Sequence, residues 1–333
     1  MGGVMEAVAD LSNLHRAWGR AAAGRRRSAE VGAFGRDVTR SLAGLVEELG
    51  SGRWRPGGYR KFVVCDPKVR VIHAAPFRDR VVHHAVMGVA GPWLERGASD
   101  RSFACRVGKG NRAAVAWALE CTGRRRWFLK LDVRKYFDSV DHGVLEGLLR
   151  RRFKDGQLMD WFRHVVGSYE VTAGKGLPIG TLTSQYLANF YLDGLDRRIV
   201  EVLRCREHVR FMDDVVLWAD DAGTLEGWLE DVAGWMRRER GLEWKGTPRP
   251  LPSDGGVPFL GYRVLPGAVL LGRRARRRLR ARVTELRALH RAGRIDTAAL
   301  QRRASSLFSF TDHAGCLRWR RRMLGELGEG YEA

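Results

Sequence analysis

Two adjacent aspartates, Asp213 and Asp214, stand between two apolar runs, Val209-Arg210-Phe211-Met212 and Val215-Val216-Leu217-Trp218. β-Branched and aromatic residues favour extended chain, and Asp tolerates the dihedrals of a tight turn. The stretch is therefore expected to be a β-hairpin with bare carboxylates at its tip. Two like charges side by side repel, so something positive must compensate them. Hard oxygen ligands select a divalent cation such as Mg²⁺, provided that a third carboxylate arrives from elsewhere in the chain.

The segment Trp127-Phe128-Leu129-Lys130-Leu131-Asp132-Val133 supplies one. Its alternation places Trp127, Leu129, Leu131 and Val133 on one face of a strand and Asp132 on the other. Tyr136-Phe137 follows, and Asp141 is placed to N-cap a helix over residues 142–152. An acid ending an apolar strand, an aromatic five residues later and a remote Asp-Asp hairpin make the metal-binding plan of a polymerase palm. Two Mg²⁺ ions held by such carboxylates can activate a primer 3′-hydroxyl, clamp a triphosphate and stabilise the leaving pyrophosphate.

Charge agrees with a polyanionic partner. The 333 residues carry 59 basic and 38 acidic side chains, a net +21. Arginines run together at 25–27, 124–126, 150–152, 273–274, 276–278 and 320–322. A solvated surface would interleave acids, so phosphate contact is expected for most of these runs. The five cysteines are widely spaced, without a Cys-x-x-Cys pair, which argues against a zinc site or a disulfide framework. Neighbours on a helix point about 100° apart, so His83 and His84 are expected to pack or touch template rather than share an ion. There is no secretion signal and no apolar run long enough for a membrane span, and a cytoplasmic location without membrane contact is expected.

The chain reads as an α+β arrangement with a small antiparallel sheet. Residues 1–52 are expected to hold two helices, broken near residues 24–27. A strand over residues 61–65 and a helix near residues 80–87 belong to the next region, 53–120. Region 121–270 holds the first acidic strand, a helix over 184–198, the Asp-Asp hairpin and a helix over 225–239, with a segment near 160–185 turned toward region 53–120. Region 271–333 is helical and basic. There Leu279, Val283, Leu286 and Leu289 make one face, and Arg273, Arg277, Arg280, Arg287 and Arg291 another.

These motifs, in this order, resemble those of bacterial and phage reverse transcriptases. Residues 131–142 are similar to the family's first catalytic motif. Phe211-Met212-Asp213-Asp214 resembles its aromatic-x-Asp-Asp box, with Phe where Tyr is usual. Residues 176–185 resemble the loop and helix start that support template and nucleotide, and Val257-Pro258-Phe259-Leu260-Gly261-Tyr262 resembles the primer-gripping hairpin. The resemblance implies a right-hand fold, with fingers at 53–120, palm at 121–270 and thumb at 271–333. It implies catalytic Asp132, Asp213 and Asp214, and two Mg²⁺ ions (Mn²⁺ is an alternative) held by Asp132, Asp213 and the Val133 carbonyl, with Asp214 weaker. Phe137 matches the steric gate against ribonucleotides. Lys68, Arg70, Ile179 and Gln185 fall at nucleotide-binding positions, and Phe259, Leu260, Gly261 and Tyr262 at the primer grip. Arg78 and Arg80 match template contacts or pair with Asp79, while Arg273, Arg277 and Arg280 would grip duplex phosphates. The Lys that protonates pyrophosphate in the family has two candidates here, Lys245 and Arg249, and neither aligns cleanly.

Ile179-Gly180 stands where many relatives have Gln-Gly, and Ser184-Gln185 where they have Ser-Pro. That variant most resembles the enzymes of diversity-generating retroelements, which copy a template RNA with frequent errors at adenines during mutagenic retrohoming. The partners so implied are a structured template or noncoding RNA, a DNA primer or cDNA, dNTPs and an oligomeric accessory variability protein. The same loop occurs in defence-associated reverse transcriptases that protect against phage with their own noncoding RNA. A third reading, an inactive palm used as an RNA-binding scaffold, would have no reason to keep the three aspartates and Phe137.

Overall fold

Short polar side chains punctuate the N-terminal segment. In the computed structural model, which describes residues 3–65, 69–311 and 314–325, residues 4–50 form four helices where two were expected. These are α1 (Val4–Ala9), α2 (Leu11–Ala22), α3 (Ala29–Gly35) and α4 (Val38–Gly50). Asp10, Ser28 and Asp37 each accept the N–H of the residue three further on, so each restarts a helix. The break after α2 falls where the Gly24–Arg27 stretch put it, and α4 buries Leu42, Leu45 and Leu49 before ending at Gly50.

Strands β1 (Arg60–Val64) and β2 (Arg70–Ala74) pair antiparallel, and α5 (Phe77–Glu95) runs well beyond the expected helix, through Pro92. After α6 (Asn111–Arg124) comes β3 (Trp127–Asp132), then the short α7 (Tyr136–Ser139) and α8 (His142–Arg152). Asp141 caps α8 as expected, accepting the Val144 N–H at 3.0 Å. Beyond α9 (Gly156–Gly167), the helix expected over residues 184–198 is split at Leu192. It forms α10 (Leu182–Tyr191) and α11 (Asp193–Arg197), the latter running into a π-helical turn, Arg198–Val202.

Strands β4 (His208–Phe211) and β5 (Asp214–Ala219) lead into α12 (Ala222–Arg240). The short strands β6 (Pro250–Pro252), β7 (Val257–Phe259), β8 (Tyr262–Leu265) and β9 (Ala268–Leu271) precede α13 (Arg273–Arg291), α14 (Thr297–Ser309) and α15 (Leu317–Gly325). One sheet has the order β4-β5-β3-β6, in which β4 with β5 and β3 with β6 run antiparallel; β7-β8-β9 forms another. Strand β3 lies inside the sheet and is covered on both faces, burying Phe128 as well as Leu129 and Leu131. Simple alternation had left Phe128 on the open side.

The chain divides into two compact units: residues 1–105, 132–204 and 230–247, and residues 106–131, 205–229 and 248–333. Within the second, Val283, Leu286, Leu300, Ala304, Phe308 and Met323 form one apolar cluster beneath the basic helices. Leu279 is buried too, while Leu289 is only half-buried. Among the described residues no helix is long and apolar enough to cross a membrane.

Candidate active site

The hairpin between β4 and β5 is as tight as a hairpin can be. Phe211 pairs with Asp214, leaving Met212 and Asp213 as the two-residue turn. The expectation that Asp takes the unusual dihedral is not met: Met212 does, with φ +60°. A left-handed non-glycine residue costs about 1–2 kcal/mol and needs support. Arg210, fully buried, gives it by donating from Nη1 to the Met212 carbonyl at 3.3 Å. Asp213 thus sits at the tip, whereas Asp214 is the first strand residue.

The positive charge required beside these carboxylates comes from the protein itself. Lys130 Nζ forms an ion pair with Asp214 Oδ1, both side chains being about one quarter exposed. The same ammonium lies 5.6 Å from the centroid of the Phe259 ring on β7. Lys130 escaped notice in the sequence because it sits within an apolar run. Its place two residues before the terminal Asp132, on the same strand face, was the available signal.

Asp132 ends β3, half-buried, and its carbonyl accepts the Lys245 N–H at 2.7 Å. Val133 bridges antiparallel to Trp244, and the Arg134 N–H donates to the Glu243 carbonyl. This ladder uses the peptide groups on either side of Val133 and leaves the Val133 carbonyl outside it. It also puts the backbone of Lys245 beside Asp132.

In the first unit, Phe137 is tied to the loop after α9. Its carbonyl accepts the Leu177 N–H at 2.7 Å, Gly176 N–H donates to Val140, and His142 Nε2 lies 2.7 Å from the Gly176 carbonyl. The loop is tied in turn to β2, since the Ile179 carbonyl accepts the His73 N–H at 2.8 Å. Gly180 has φ +117°, and a Cβ there would stand 2.5 Å from Ile72 Cγ2, so no other residue fits between loop and strand. Phe137, Ile179 and the strand that opens with Arg70 thus form one connected wall. His73 packs against Tyr169, with ring centroids 4.6 Å apart, and burial pushes its pKa down. Lys68 lies outside the described residues.

Gln185 lines a small cavity with Arg20, Arg25, Arg80, His83 and His84. Arg80 also pairs with Glu30 at 3.2 Å, and Arg78 pairs with Glu48. Neither takes Asp79, which is buried and accepts the Gly57 N–H at 2.6 Å. Burial raises the pKa of Asp79, against the pull of that hydrogen bond and of Arg78.

The hairpin expected to grip a primer is real but differently disposed. Leu260 and Gly261, with φ +48° and +88°, form a two-residue turn of the type that suits twisted strands. Phe259 and Tyr262 are buried, at 1% and 4% exposure. Tyr262 stacks on Phe310 at 4.6 Å and donates its hydroxyl to the Phe310 carbonyl. Of the four residues expected at the primer grip, Gly261 is exposed and Leu260 half-buried. Nearby on the chain, Arg273, Arg277 and Arg280 line a cavity of about 540 Å³ together with Arg276 and with Trp319, which the spacing of the arginines gave no reason to expect. The other arginine runs are partly spent on protein: Arg125 pairs with Glu207 and Asp220, and Arg150 with Glu146.

Asp213 and Asp214 are adjacent, partly exposed hard-oxygen donors, a donor set that suits Mg²⁺. Among the described residues no group of three or more His, Cys, Asp or Glu stands ready to hold a metal ion. Any ion at Asp214 would share it with Lys130.

Comparison with known proteins gives one direction. The family model described as reverse transcriptase (RNA-dependent DNA polymerase) matches residues 60–246, more than half of the chain. The group II intron-encoded protein LtrA of Lactococcus lactis subsp. cremoris is 26% identical over 174 residues, covering 47% of this chain and 28% of LtrA. Protein YkfC of Escherichia coli K12 is 29% identical over 170 residues, covering 47% of this chain and 45% of YkfC. The chain thus spans less than half the length of these relatives. In structure it is similar to telomerase from Candida albicans in complex with a telomeric RNA fragment. The TM-score is 0.51 at 10% identity, over 84% of this chain and 60% of that one.

Proposed function

Because this chain belongs to the reverse transcriptase family and has that family's right-hand fold, we propose that it is an RNA-directed DNA polymerase. The observation that carries the reading is the Phe211–Asp214 hairpin. Its strained turn, braced by Arg210, presents two carboxylates at the head of a strand that lies next in sheet order to the one ending at Asp132. In this reading fingers, palm and thumb occupy residues 53–120, 121–270 and 271–333. The substrates are a template RNA, a DNA primer and dNTPs; two similar proteins whose names or titles refer to an intron and to telomeric RNA support the template.

Asp132, Asp213 and the Val133 carbonyl would hold two Mg²⁺ or Mn²⁺ ions, with Asp214 a weaker ligand. Bound there, the ions would ease deprotonation of the primer hydroxyl and offset phosphate charge. Asp213 and Asp214 supply the negative potential that draws cations in, and Lys130 keeps Asp214 oriented. Phe137, held by Leu177, occupies the space that a ribose 2′-hydroxyl would need. Arg70 and Lys68 clamp the triphosphate. Lys245, whose backbone lies beside Asp132, is favoured over Arg249 as the proton donor to pyrophosphate.

The finer reading is error-prone copying in a diversity-generating retroelement. Ile179 supports it. An aliphatic side chain there gives shape without a hydrogen bond, so a mispaired nucleotide forfeits less than it would beside a polar partner. The test is the error spectrum of sequenced cDNA from one template. Misincorporation opposite adenine should exceed that opposite the other bases, and Ile179→Gln should narrow the difference. A flat, low-error spectrum would remove this reading and leave plain reverse transcription.

A further inference from the structure

A cavity of about 470 Å³ opens in the first compact unit, where α5, α8 and α12 end beside α11. Five arginines line it: Arg96, Arg151, Arg152, Arg197 and Arg240. The lining has one acid, Asp193. Over the whole chain basic residues outnumber acidic ones 59 to 38, so general basicity does not account for five to one. Helix ends do not account for it either. Three C-termini contribute roughly −0.5 each, well short of the side-chain excess.

Arg240 forms the floor and is only 6% exposed. Its Nε and Nη1 donate to the Tyr191 and Glu239 carbonyls, each at 2.7 Å, and its guanidinium lies 4.6 Å from the Trp235 ring. Nη2 packs against Gly194, where a Cβ would stand 2.5 Å from it and 2.9 Å from the Trp235 ring, so only glycine lets the guanidinium sit there. Burial is the main force lowering the Arg240 pKa; Tyr191, Glu239 and Tyr136 oppose it, and Arg197 adds a smaller push downward. A buried cation in a lining with five arginines to one acid calls for an anion.

The rim adds two features. Arg96, Arg151 and Arg197 are exposed, and no ion pair among the described residues engages them or Arg152. Trp93 is half-buried with the Arg96 guanidinium 5.3 Å from its ring centroid, and Arg152 lies 5.8 Å from that of Phe190.

We propose that this cavity binds the backbone of a single-stranded RNA segment, seating one phosphate over Arg240 and stacking a base on Trp93. Guanidinium forks match phosphate oxygens, and unpaired RNA is read by aromatic and arginine planes. The cavity is too small for a duplex, and the charge continues outward past one phosphate, which a free mononucleotide would leave unused. None of Asp132, Phe137, Ile179 or Gln185 lines it. This is therefore a second RNA contact, apart from the copying residues; only the choice of RNA over another polyphosphate rests on the proposed function.

The test uses the full chain with an unlabelled primed RNA–DNA heteroduplex in saturating amount, so that duplex-binding surfaces are filled. The probe is fluorescein-labelled oligo(U) RNA. Arg151→Gln with Arg197→Gln should weaken its binding about tenfold or more. The slope of log affinity against log salt should fall by about 0.7 for each phosphate no longer neutralised. Melting temperature and DNA synthesis on the heteroduplex should stay unchanged. Oligo(U) carrying 4-thiouridine should crosslink to the Trp93 peptide in the wild type. Unchanged oligo(U) affinity, an equal loss of heteroduplex affinity, or displacement of oligo(U) by UMP at equal nucleotide concentration would each overturn the proposal. If no DNA is made by either protein while oligo(U) binding still depends on the two arginines, the cavity stands and the polymerase reading falls.

Discussion

Lys130 Nζ is paired with Asp214 Oδ1, so the ammonium of one strand neutralises a carboxylate on the next strand of the same sheet. On the proposed reading, Lys130 and an incoming Mg²⁺ would compete for the same oxygen. A bare charge pair at about 4 Å is worth about 4 kcal/mol at an effective dielectric constant near 20, and solvent exchange leaves about 1 kcal/mol. Lys130→Met should therefore lower the Mg²⁺ concentration for half-maximal synthesis about fivefold, while the maximal rate falls because Asp214 is no longer held. A Mg²⁺ titration of primer extension checks this; an unchanged half-maximal concentration would show that Lys130 does not bear on the carboxylates.

Phe137→Ala should admit ribonucleotides. On the proposed reading the ring excludes by volume; its backbone is held by the Leu177 N–H and its ring packs edge-on against Tyr136 with centroids 5.6 Å apart. Incorporation of each dNTP against its rNTP, in wild type and variant, measures this directly. Discrimination that survives the substitution would put the gate at another residue.

Neutralising Arg276, Arg277 and Arg280 together should weaken template–primer binding for all sequences alike. The salt slope should fall by up to about 0.9 for each duplex phosphate that the variant no longer neutralises. Trp319→Leu, in the same cavity, should weaken binding without altering that slope. A slope insensitive to the three arginines would leave them as solvated surface.

His83 is buried against Trp161, with ring centroids 5.8 Å apart, and burial pushes its pKa down to about 4. A base whose folded pKa is depressed binds its proton more readily when unfolded. Its contribution is therefore complete above pH 6.5 and is lost as pH falls toward 4, by up to about 1.4 kcal/mol per pH unit. His83→Phe should flatten the acid limb of the stability curve between those values. Urea melts across that range would show the difference, and parallel limbs would mean that His83 titrates normally.

How far the sequence revealed the fold follows from range. Local signals were sound: Asp141 as a cap, Gly50 as a stop, the β4–β5 hairpin and the apolar face of α13 all rest on neighbours within one turn or one strand. Signals carried by distant contacts were not readable. Met212 rather than Asp takes the left-handed dihedral because Arg210 is buried beneath it. Phe128 is buried because packing covers both faces of β3, as its neighbour Leu129 on the opposite face is buried too. Tyr262 is packed inward because Phe310 stacks on it. The break at Leu192 in the helix after Ser184, by contrast, had a local signal in the Asp193-Gly194 pair that follows it. Of the site, the carboxylates and the loop at Ile179 were legible as motifs, while Lys130 had no motif to belong to.

The central claim is tested most directly by Asp213→Asn in a primer extension assay on an RNA template with Mg²⁺ and dNTPs, with RNA affinity measured on the same preparation. Asp213 stands at the tip of the turn, so the substitution removes one charge and little volume. Each ~1.4 kcal/mol of lost transition-state stabilisation is a tenfold loss of rate, and losing a metal ligand removes several kcal/mol. Extension should fall by about a thousandfold or more while RNA affinity stays within about twofold. Near-normal extension by the variant would contradict the assignment of Asp213 to the catalytic centre.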